Sequence, residues 1–303
     1  MRYVVTGAAG FIGSHLSEAL LAAGHEVVGL DCFTDYYDPA LKEENARGLD
    51  VQRVDLAVDA LDFSGFDGVF HLAGQPGVRS FGDVFPLYLR RNVLASQRVF
   101  EAAGRDGARV VFASSSSIYG ATERYPTPED AQPQPLSPYG ITKLACEHLA
   151  GAYVREFGLD CVVLRFFNAF GPRQRPDMAF TRIVFALAEG GPFELYGDGS
   201  QSRSWTYVGD VVAATIAAME HGSGTYNVGG ALEASMIESI ELLERISGRT
   251  LDVRRHPAVA GDQKRTKADT TRIRGELGWE PQVTLEEGLT RQWQWASDTL
   301  TSR

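Results

Sequence analysis

The stretch that decides the fold is residues 2–13, Arg-Tyr-Val-Val-Thr-Gly-Ala-Ala-Gly-Phe-Ile-Gly. Its β-branched start predicts a strand over Arg2–Thr6, and helical spacing begins within the stretch and runs over Phe11–Ala23. Glycines between a strand and a helix permit a tight turn and let the backbone approach a pyrophosphate. The free N–H groups at the start of the helix favour an anion. The predicted phosphate-binding turn consists of Gly7, Gly10, Phe11, Ile12 and Gly13.

Short apolar runs alternate with helical patterns through the first half of the chain. The further predicted strands are Glu26–Leu30, Val51–Val54, Val69–Leu72, Arg109–Ala113 and Asp160–Phe166. One helix is expected from Pro86 to Gly104, and another runs to Glu156 with Ser137 as its N-cap and Gly158 as its stop. Such alternation predicts an α/β fold, a Rossmann-type doubly wound parallel sheet.

The pattern changes after about Phe167. Prolines and a Gly-Gly-Pro sequence interrupt it, and helices follow near 208–219, 236–247 and 285–300. Tyr226–Gly229 is expected to return to the first sheet as a strand. We therefore predict a Rossmann domain over residues 1–166, rejoined by about 206–230, and a smaller C-terminal lobe over 167–303.

Composition limits the classes of function. The net charge of −10 over 303 residues argues against nucleic acid as a partner, because binding its backbone needs clustered Lys and Arg. The three cysteines and six histidines show no metal-ligand spacing, so no metal is expected. No apolar run is long enough to span a membrane, and no signal peptide is expected before the first strand. A cytoplasmic protein is predicted.

Asp31 indicates which dinucleotide the turn would bind. It ends the second predicted strand, where a carboxylate can accept hydrogen bonds from an adenosine ribose. A carboxylate there would repel a 2′-phosphate, so NAD is favoured over NADP. Asp55 and Leu56 end the third strand and are expected to line the adenine site.

The segment Ser137-Pro-Tyr139-Gly-Ile-Thr-Lys143 is the candidate catalytic motif. Tyr139 and Lys143 are four residues apart and therefore share a helix face. An ammonium group beside a phenol favours the phenolate, which can take a proton from a sugar hydroxyl while hydride leaves the same carbon for nicotinamide. The hydroxyl-rich run Ser114–Ser117 ends the preceding strand, at the edge of the sheet where such folds bind ligands.

Together these features resemble the extended short-chain dehydrogenase/reductases that act on nucleotide sugars. The motifs that carry the resemblance are T-G-A-A-G-F-I-G-S-H at Thr6–His15, H-L-A-G at His71–Gly74, Tyr139/Lys143, R-F-F-N at Arg165–Asn168, F-G-P at Phe170–Pro172, S-R-S-W-T-Y-V-G-D at Ser202–Asp210 and L-G-W-E-P-Q-V-T-L-E-E-G-L at Leu277–Leu289. The resemblance makes Ser115 the hydroxyl partner of Tyr139. The other residues that it implies are Leu72, Ala73 and Gly74 at the cofactor, and Arg79, Asn168, Arg203 and Asp262 at the nucleotide sugar.

The residues after Ser115 separate the reactions within this group. Sugar 4,6-dehydratases carry Asp-Glu at the next two positions, and uronate decarboxylases keep a Glu at the second. This chain has hydroxyls, Ser116 and Ser117, at both positions. Epimerisation at C4 needs no additional acid, so the sequence favours a 4-epimerase.

The sugar is indicated by two loops that resemble those of UDP-glucuronate 4-epimerases. They are D-Y-Y-D-P-A-L-K at residues 35–42 and R-P-D-M at 175–178. The resemblance pairs Arg175 with the sugar carboxylate, which a guanidinium can bind with two hydrogen bonds. A 4-keto uronic acid loses CO₂ readily, so an epimerase must restrain its carboxyl group. UDP-glucuronate is the predicted substrate.

Two departures from the uronate epimerase pattern keep alternatives open. Asn168 stands where those enzymes often have Thr, and the phosphate-binding Arg expected before Gly261-Asp262 is missing. The candidate replacements are Arg254, Arg255, Lys264 and Arg265. The alternatives are a UDP-glucose or UDP-N-acetylhexosamine 4-epimerase, a UDP-glucuronate decarboxylase, and a non-catalytic protein that senses NAD. Proteins of the last kind usually lose the Tyr/Lys pair, which this chain keeps.

The resemblance also implies a homodimer. It pairs the helices Pro86–Ala103 and Pro138–Glu156 with their counterparts across a two-fold axis. The apolar residues expected to contribute are Leu87, Val93, Leu94, Leu144 and Leu149.

Overall fold

A computed structural model describes residues 1–77, 82–258 and 264–301 of the chain. The first part alternates strands and helices, as the sequence predicts. Its elements are β1 (Arg2–Thr6), α1 (Phe11–Ala22), β2 (Glu26–Asp31), α2 (Pro39–Asn45), β3 (Val51–Arg53), β4 (Gly68–His71), α3 (Phe85–Tyr88), a π-helical segment (Leu89–Leu94), α4 (Ala95–Asp106), β5 (Arg109–Ser115), α5 (Pro138–Phe157) and β6 (Cys161–Phe166). Short 3₁₀ turns occupy Gly82–Val84 and Ser116–Ile118.

The second part is less regular. Its elements are β7 (Ala169–Phe170), α6 (Ala179–Glu189), β8 (Pro192–Tyr196), β9 (Ser202–Ser204), β10 (Thr206–Tyr207), α7 (Val208–His221), β11 (Gly224–Val228), β12 (Glu233–Ser235), α8 (Met236–Ser247), β13 (Asp252–His256), β14 (Arg265–Thr266), α9 (Thr271–Leu277) and α10 (Leu285–Thr301). Strands β12, β9 and β14 form a three-stranded sheet in that order. Two further sheets have two strands each, β13 with β8 and β10 with β7.

A parallel sheet in the order β3-β2-β1-β4-β5-β6-β11 forms the centre of the fold. The chain moves outward from β1 in one direction and then from β4 in the other, so β1 and β4 border the topological switch point where ligands bind in such sheets. Strand β11 pairs with β6 from Gly224 opposite Val162 to Val228 opposite Phe166. The predicted doubly wound sheet is confirmed, and the returning strand forms its last member.

Each face of the sheet is covered by its own apolar layer. Leu16 and Leu20 of α1 and Val211 of α7 are buried on one face, in a core that continues into the second lobe. Val99 of α4 and Cys146 of α5 are buried on the other face. The strands between these layers are apolar on both sides, as expected of a parallel sheet covered by helices.

The helix predicted from Pro86 to Gly104 differs in its details. The helical segment begins at Phe85, passes through the π-helical turn and ends at Asp106, with Gly107 as the left-handed C-cap at φ 74°. Gly104 lies inside the helix and is not its stop. A Cβ at Gly104 would contact only the Leu159 side chain, at 3.9 Å, so neither space nor backbone conformation requires a glycine there.

Among the described residues, no helix is both long and apolar enough to cross a membrane.

Candidate active site

The glycine turn fits a dinucleotide phosphate. Gly7 has φ +72°, and a Cβ at Gly13 would lie only 2.1 Å from the carbonyl oxygen of Gly7. Any side chain at Gly13 would therefore separate α1 from the turn. Helix α1 begins after Gly10 without a side-chain cap, so the N–H groups of its first turn remain available to an anion.

A second close approach lies across the turn, at the end of β4. A Cβ at Gly7 would lie 2.9 Å from the backbone nitrogen of Ala73. A Cβ at Gly74 would lie 2.9 Å from Asn92 Oδ1 and 3.5 Å from Lys143 Nζ. The backbone of the turn thus approaches the backbone at the end of β4, and Gly74 lies against Asn92 and Lys143, so a side chain at Gly7 or Gly74 would not fit without a shift.

Asp31 closes the end of β2 beside the turn. Its carboxylate accepts hydrogen bonds from the backbone N–H groups of Ala9, at 3.2 Å, and Phe33, at 2.8 Å. Burial raises the pKa of Asp31, although these hydrogen bonds and the positive charges of Lys42 and Arg53 oppose the shift. The carboxylate is thereby fixed in place with acceptor capacity left for ribose hydroxyl groups.

Asp55 marks the expected adenine end. Its carboxylate accepts hydrogen bonds from Ala57 N, at 2.9 Å, and from Arg90 Nη2, at 2.6 Å. Leu56 is buried beside it. Asp55 offers a hydrogen-bond acceptor and Leu56 an apolar side chain to a purine base.

Helix α5 positions the Tyr/Lys pair. Ser137 caps the helix by accepting a hydrogen bond from Gly140 N at 3.1 Å, and Pro138 occupies the first turn. Tyr139 is half-buried in the first turn, and Lys143 is buried one turn later. The Lys143 ammonium donates to the carbonyl of Ala113 at 2.7 Å and lies 5.9 Å from the centre of the Tyr139 ring.

Hydroxyl groups from the end of β5 face the same space. Ser115 and Ser116 are buried, and Ser115 Oγ donates to Ser117 Oγ at 3.1 Å. Ser115 also accepts from the backbone N–H of Ser117, which fixes the short turn. The three residues offer hydroxyl groups and no carboxylate next to Tyr139.

A buried ion pair holds these elements together. Arg165 of β6 binds Glu147 of α5 at 2.7 Å, and Glu147 also accepts from Ser114 of β5. Arg165 Nη1 donates to the Tyr119 hydroxyl at 2.7 Å, and that hydroxyl donates to Asn227 of β11 at 2.7 Å. The helix that carries Tyr139 is thus fixed to the strand that ends at the serines. This explains the arginine of the R-F-F-N motif as a structural residue.

One large cavity of about 760 Å³ contains the residues predicted from sequence. Those that line it are Gly7, Gly10, Phe11, Ile12, Gly13, Asp31, Asp55, Leu56, Leu72, Ala73, Gly74, Ser115, Ser116, Ser117, Tyr139, Lys143, Asn168, Arg175 and Arg203. Arg79 and Asp262 lie outside the described residues. The cavity extends from the glycine turn to the second lobe, where Asn168, Arg175 and Arg203 line it.

Arg175 lies in the loop between β7 and α6. It makes two hydrogen bonds to Asp177, from Nε to Oδ1 and from Nη2 to Oδ2, each 2.9 Å long. The Tyr36 hydroxyl donates to the same Asp177 Oδ2 at 3.2 Å. Burial lowers the pKa of Arg175, but its hydrogen bonds and charge interaction with Asp177 outweigh this and raise it.

A buried polar cluster fixes this loop from below. The Gln174 side chain accepts from Thr181 N and from Gln292 Nε2 of α10, both at 3.1 Å. Gln292 also accepts from Gly171 N at 3.1 Å. The C-terminal helix therefore sets the position of the loop that carries Arg175.

Several residues of the cavity were not predicted from the sequence, among them Tyr36, Asp177 and Arg182. Tyr36 and Asp177 lie within the quoted loops, where the residue pattern gave no sign that they meet across the cavity. Arg182 of α6 is exposed to the cavity, with its guanidinium 5.4 Å from the Phe193 ring. Of the described residues that line the cavity, none is among the four basic replacements suggested from sequence, and Arg182 is the better candidate.

Those four basic residues lie elsewhere. Arg265 makes a two-fold contact with Glu233, and Arg255 donates to the carbonyl of Asp198. Arg254 lies 3.9 Å from Glu194. Lys264 is exposed outside the cavity lining.

Comparison with known proteins identifies the class. The model of the NAD-dependent epimerase/dehydratase family matches residues 3–229. A Bacillus subtilis protein described as an uncharacterised UDP-glucose epimerase is 40% identical, over 96% of each chain. The chain belongs to the NAD-dependent epimerase/dehydratase family.

One solved structure and one further relative narrow the resemblance. The UDP-glucuronic acid 4-epimerase of Bacillus cereus, in complex with UDP-glucuronic acid and NAD, is 38% identical with a TM-score of 0.93, covering 99% of this chain and all of that one. UDP-glucose 4-epimerase of Mycolicibacterium smegmatis is 39% identical, over 96% of this chain and 97% of its own. These comparisons confirm the predicted fold, family and NAD cofactor, and the predicted class of enzyme, a UDP-sugar 4-epimerase.

Proposed function

We propose that this protein interconverts UDP-glucuronate and UDP-galacturonate by NAD-dependent epimerisation at C4. The observation that carries the proposal is the position of Arg175, which shares one cavity with Tyr139 and the three serine hydroxyls. A guanidinium group there suits a C6 carboxylate. The similarity to the Bacillus cereus enzyme supports the same substrate.

The cofactor would lie along the first part of the chain. Residues 1–166, with the segment of about 206–230, would hold NAD, and residues 167–303 would hold most of the UDP-sugar. The glycine turn would bind the pyrophosphate, and Asp31 the adenosine ribose. Asp55 and Leu56 would line the adenine, and Leu72–Gly74 the nicotinamide side.

The chain's own groups would move the proton. When bound, NAD would supply the redox chemistry at C4, first as acceptor and then as donor of one hydride. Tyr139 would take the C4 hydroxyl proton and give it back in the second half of the reaction. Lys143, anchored at the Ala113 carbonyl, would stabilise the phenolate by its positive charge. Ser115 would hydrogen-bond the same sugar oxygen.

The surroundings of Tyr139 favour epimerisation over elimination and decarboxylation. Ser116 and Ser117 would bind the sugar but offer no carboxylate as an additional acid or base. Arg175 would hold the carboxyl group in one orientation and so restrain loss of CO₂ from the 4-keto sugar. The retained Tyr139/Lys143 pair favours an enzyme over a sensor of NAD.

The diphosphate would meet positive charge from the second lobe. Arg203 and Arg182 line that part of the cavity, with the Asn168 amide beside them. Gln201 Oε1 is a buried acceptor with no partner among the described residues, which suits a donor on the nucleotide base. Arg79 and Asp262 remain proposed substrate residues on the strength of their motifs.

A neutral sugar is the second candidate. Asp177 already pairs with Arg175, so UDP-glucose would not leave an unpaired cation in the cavity. The similarity to UDP-glucose 4-epimerase of Mycolicibacterium smegmatis points the same way.

We also propose a cytoplasmic homodimer. Apolar side chains on α5 and on the π-helical segment between α3 and α4 are exposed. They are Leu89 (44%), Leu94 (44%), Ile141 (40%), Val154 (41%) and Phe157 (71%). Of the residues expected from sequence, Leu94 is among them, whereas Leu87, Val93, Leu144 and Leu149 are half-buried. A second copy would cover some of these side chains.

A substrate panel tests the proposed function. UDP-glucuronate, UDP-glucose and UDP-N-acetylglucosamine are each incubated with the NAD-loaded protein, and the products are separated and weighed by mass spectrometry. We expect a product of unchanged mass from UDP-glucuronate that co-elutes with UDP-galacturonate. A product lighter by CO₂ would indicate a decarboxylase, and turnover of the neutral sugars alone would contradict the proposed substrate.

A further inference from the structure

The Asp177 carboxylate pairs with Arg175, the residue that the sequence assigns to the carboxylate of the substrate. It occupies one edge of the Arg175 guanidinium, with two contacts of 2.9 Å. Side-chain exposures of 24% for Arg175 and 38% for Asp177 place the pair at the wall of the cavity. The arginine is therefore already neutralised before any sugar binds.

The remaining edge of the guanidinium is open to a ligand. Asp177 engages Nε and one N–H of Nη2, so Nη1 and the other N–H of Nη2 remain. Among the described residues, these groups have no hydrogen-bond partner. They can accommodate a second planar carboxylate side by side with the first, or a hydroxyl group.

Tyr36 holds Asp177 in this arrangement from the other side of the cavity. Its hydroxyl donates to Asp177 Oδ2, and its ring lies 5.9 Å from the Arg175 guanidinium carbon. Burial, and then the charge of Asp177, raise the pKa of Tyr36 to about 12, so the hydroxyl remains a donor. The carboxylate is held between an arginine and a tyrosine and is not free to swing away.

We propose that Asp177 determines substrate specificity by neutralising Arg175, so that the site accepts both UDP-glucuronate and UDP-glucose. This inference rests on the proposed function. Arg175 attracts the carboxylate of a uronate, but the like charge of Asp177 reduces that attraction. A neutral sugar places its C6 hydroxyl beside an ion pair, so its binding does not leave Arg175 without a counter-charge. The Asp177 carboxylate therefore reduces the difference in binding free energy between UDP-glucuronate and UDP-glucose.

The substitution Asp177→Asn tests this directly. It removes the charge and keeps the shape, so uronate gains attraction and UDP-glucose faces an unpaired guanidinium. In the NAD-loaded enzyme, kcat/KM for UDP-glucuronate relative to UDP-glucose should rise about tenfold or more. The NAD content and the melting temperature are measured alongside, to show that the variant is folded.

Glu18→Gln is the matched control. Glu18 makes the same kind of two-fold contact, at 2.6 and 2.7 Å, with Arg173 in the same loop. Neither residue lines the cavity. This variant loses a carboxylate from a neighbouring arginine and should leave the ratio within about twofold of the original.

Equilibrium binding provides a second measurement that does not depend on turnover. In a Tyr139→Phe background, Asp177→Asn should lower the Kd of UDP-glucuronate and leave that of UDP-glucose unchanged or higher. Equal shifts for both sugars, or a shift in favour of UDP-glucose, would overturn the inference. If the unsubstituted enzyme turns over no uronate while the binding ratio still shifts, only the proposed function fails.

Discussion

Replacing Arg175 by alanine should damage turnover of the uronate far more than turnover of the neutral sugar. The substitution removes the partner of the substrate carboxylate and leaves Asp177 facing it. Two like charges about 5 Å apart interact by about 3 kcal/mol at an effective dielectric constant of about 20. The pair is partly exposed, at 24% and 38%, so a total loss of about 2–4 kcal/mol is reasonable.

That loss corresponds to a fall in kcat/KM for UDP-glucuronate of about 30- to 700-fold. For UDP-glucose, which carries no carboxylate, the fall should stay below about fivefold. Initial rates with both sugars measure the two values, and the fraction of decarboxylated product should rise as the carboxyl group becomes free to rotate. Adding Asp177→Asn to Arg175→Ala should restore part of the uronate activity, because it removes the stranded like charge.

Arg182→Ala is the control in the same cavity. If Arg182 binds the diphosphate, which both substrates share, its loss should weaken both reactions to the same degree. Equal losses on both sugars for Arg175→Ala would instead assign Arg175 to the diphosphate or to the fold, and would refute the carboxylate reasoning.

Three other predictions follow from the same structure. Tyr139→Phe should lower turnover by at least ~10²–10⁴-fold while NAD stays bound, and an active variant measured by product formation would refute the role of the phenol. Burial, and then the charge of Lys143, lower the pKa of His71 to about 3, whereas in the unfolded chain the imidazole titrates near 6.5. The free energy of unfolding is therefore unaffected by this group above pH 6.5 and falls as the pH drops from 6.5 toward 3. Urea unfolding should show a loss of about 2 kcal/mol from this group between pH 7 and pH 5, and a His71→Gln variant with the same slope would contradict it. Light scattering at micromolar concentration should find a dimer, and Phe157→Glu with Leu94→Glu should shift it to monomer; a monomer before substitution would contradict the proposed interface.

Local sequence was enough to predict the centre of the fold and the catalytic pair. The glycine turn can be predicted from sequence because its strand, turn and helix are adjacent in the chain. Tyr139 and Lys143 are one helical turn apart, so their proximity follows from helix geometry alone. The return of β11 to the sheet was predicted as a strand over Tyr226–Gly229, and the structure has it over Gly224–Val228.

Contacts between distant segments were not predictable in the same way. Tyr36 and Asp177 meet although 141 residues separate them, and Gln174 meets Gln292 across 118. No local pattern distinguishes such residues from others on polar loops. Arg182 gave no signal either, because an exposed arginine on an amphipathic helix is ordinary until the fold shows that it faces a cavity.

The predicted end of helix α4 was wrong for a different reason. Gly104 and Gly107 are both plausible helix stops, and only the positive φ of Gly107 distinguishes them.

The central claim is that hydrogen leaves C4 of the sugar and returns to the same carbon from the other face. UDP-glucuronate deuterated at C4, incubated with the purified protein without added reductant, tests it most directly. We predict UDP-galacturonate that keeps the deuterium at C4, with NAD(H) released only when the protein is denatured. Loss of the deuterium to solvent, or a requirement for steady consumption of NADPH, would contradict the account.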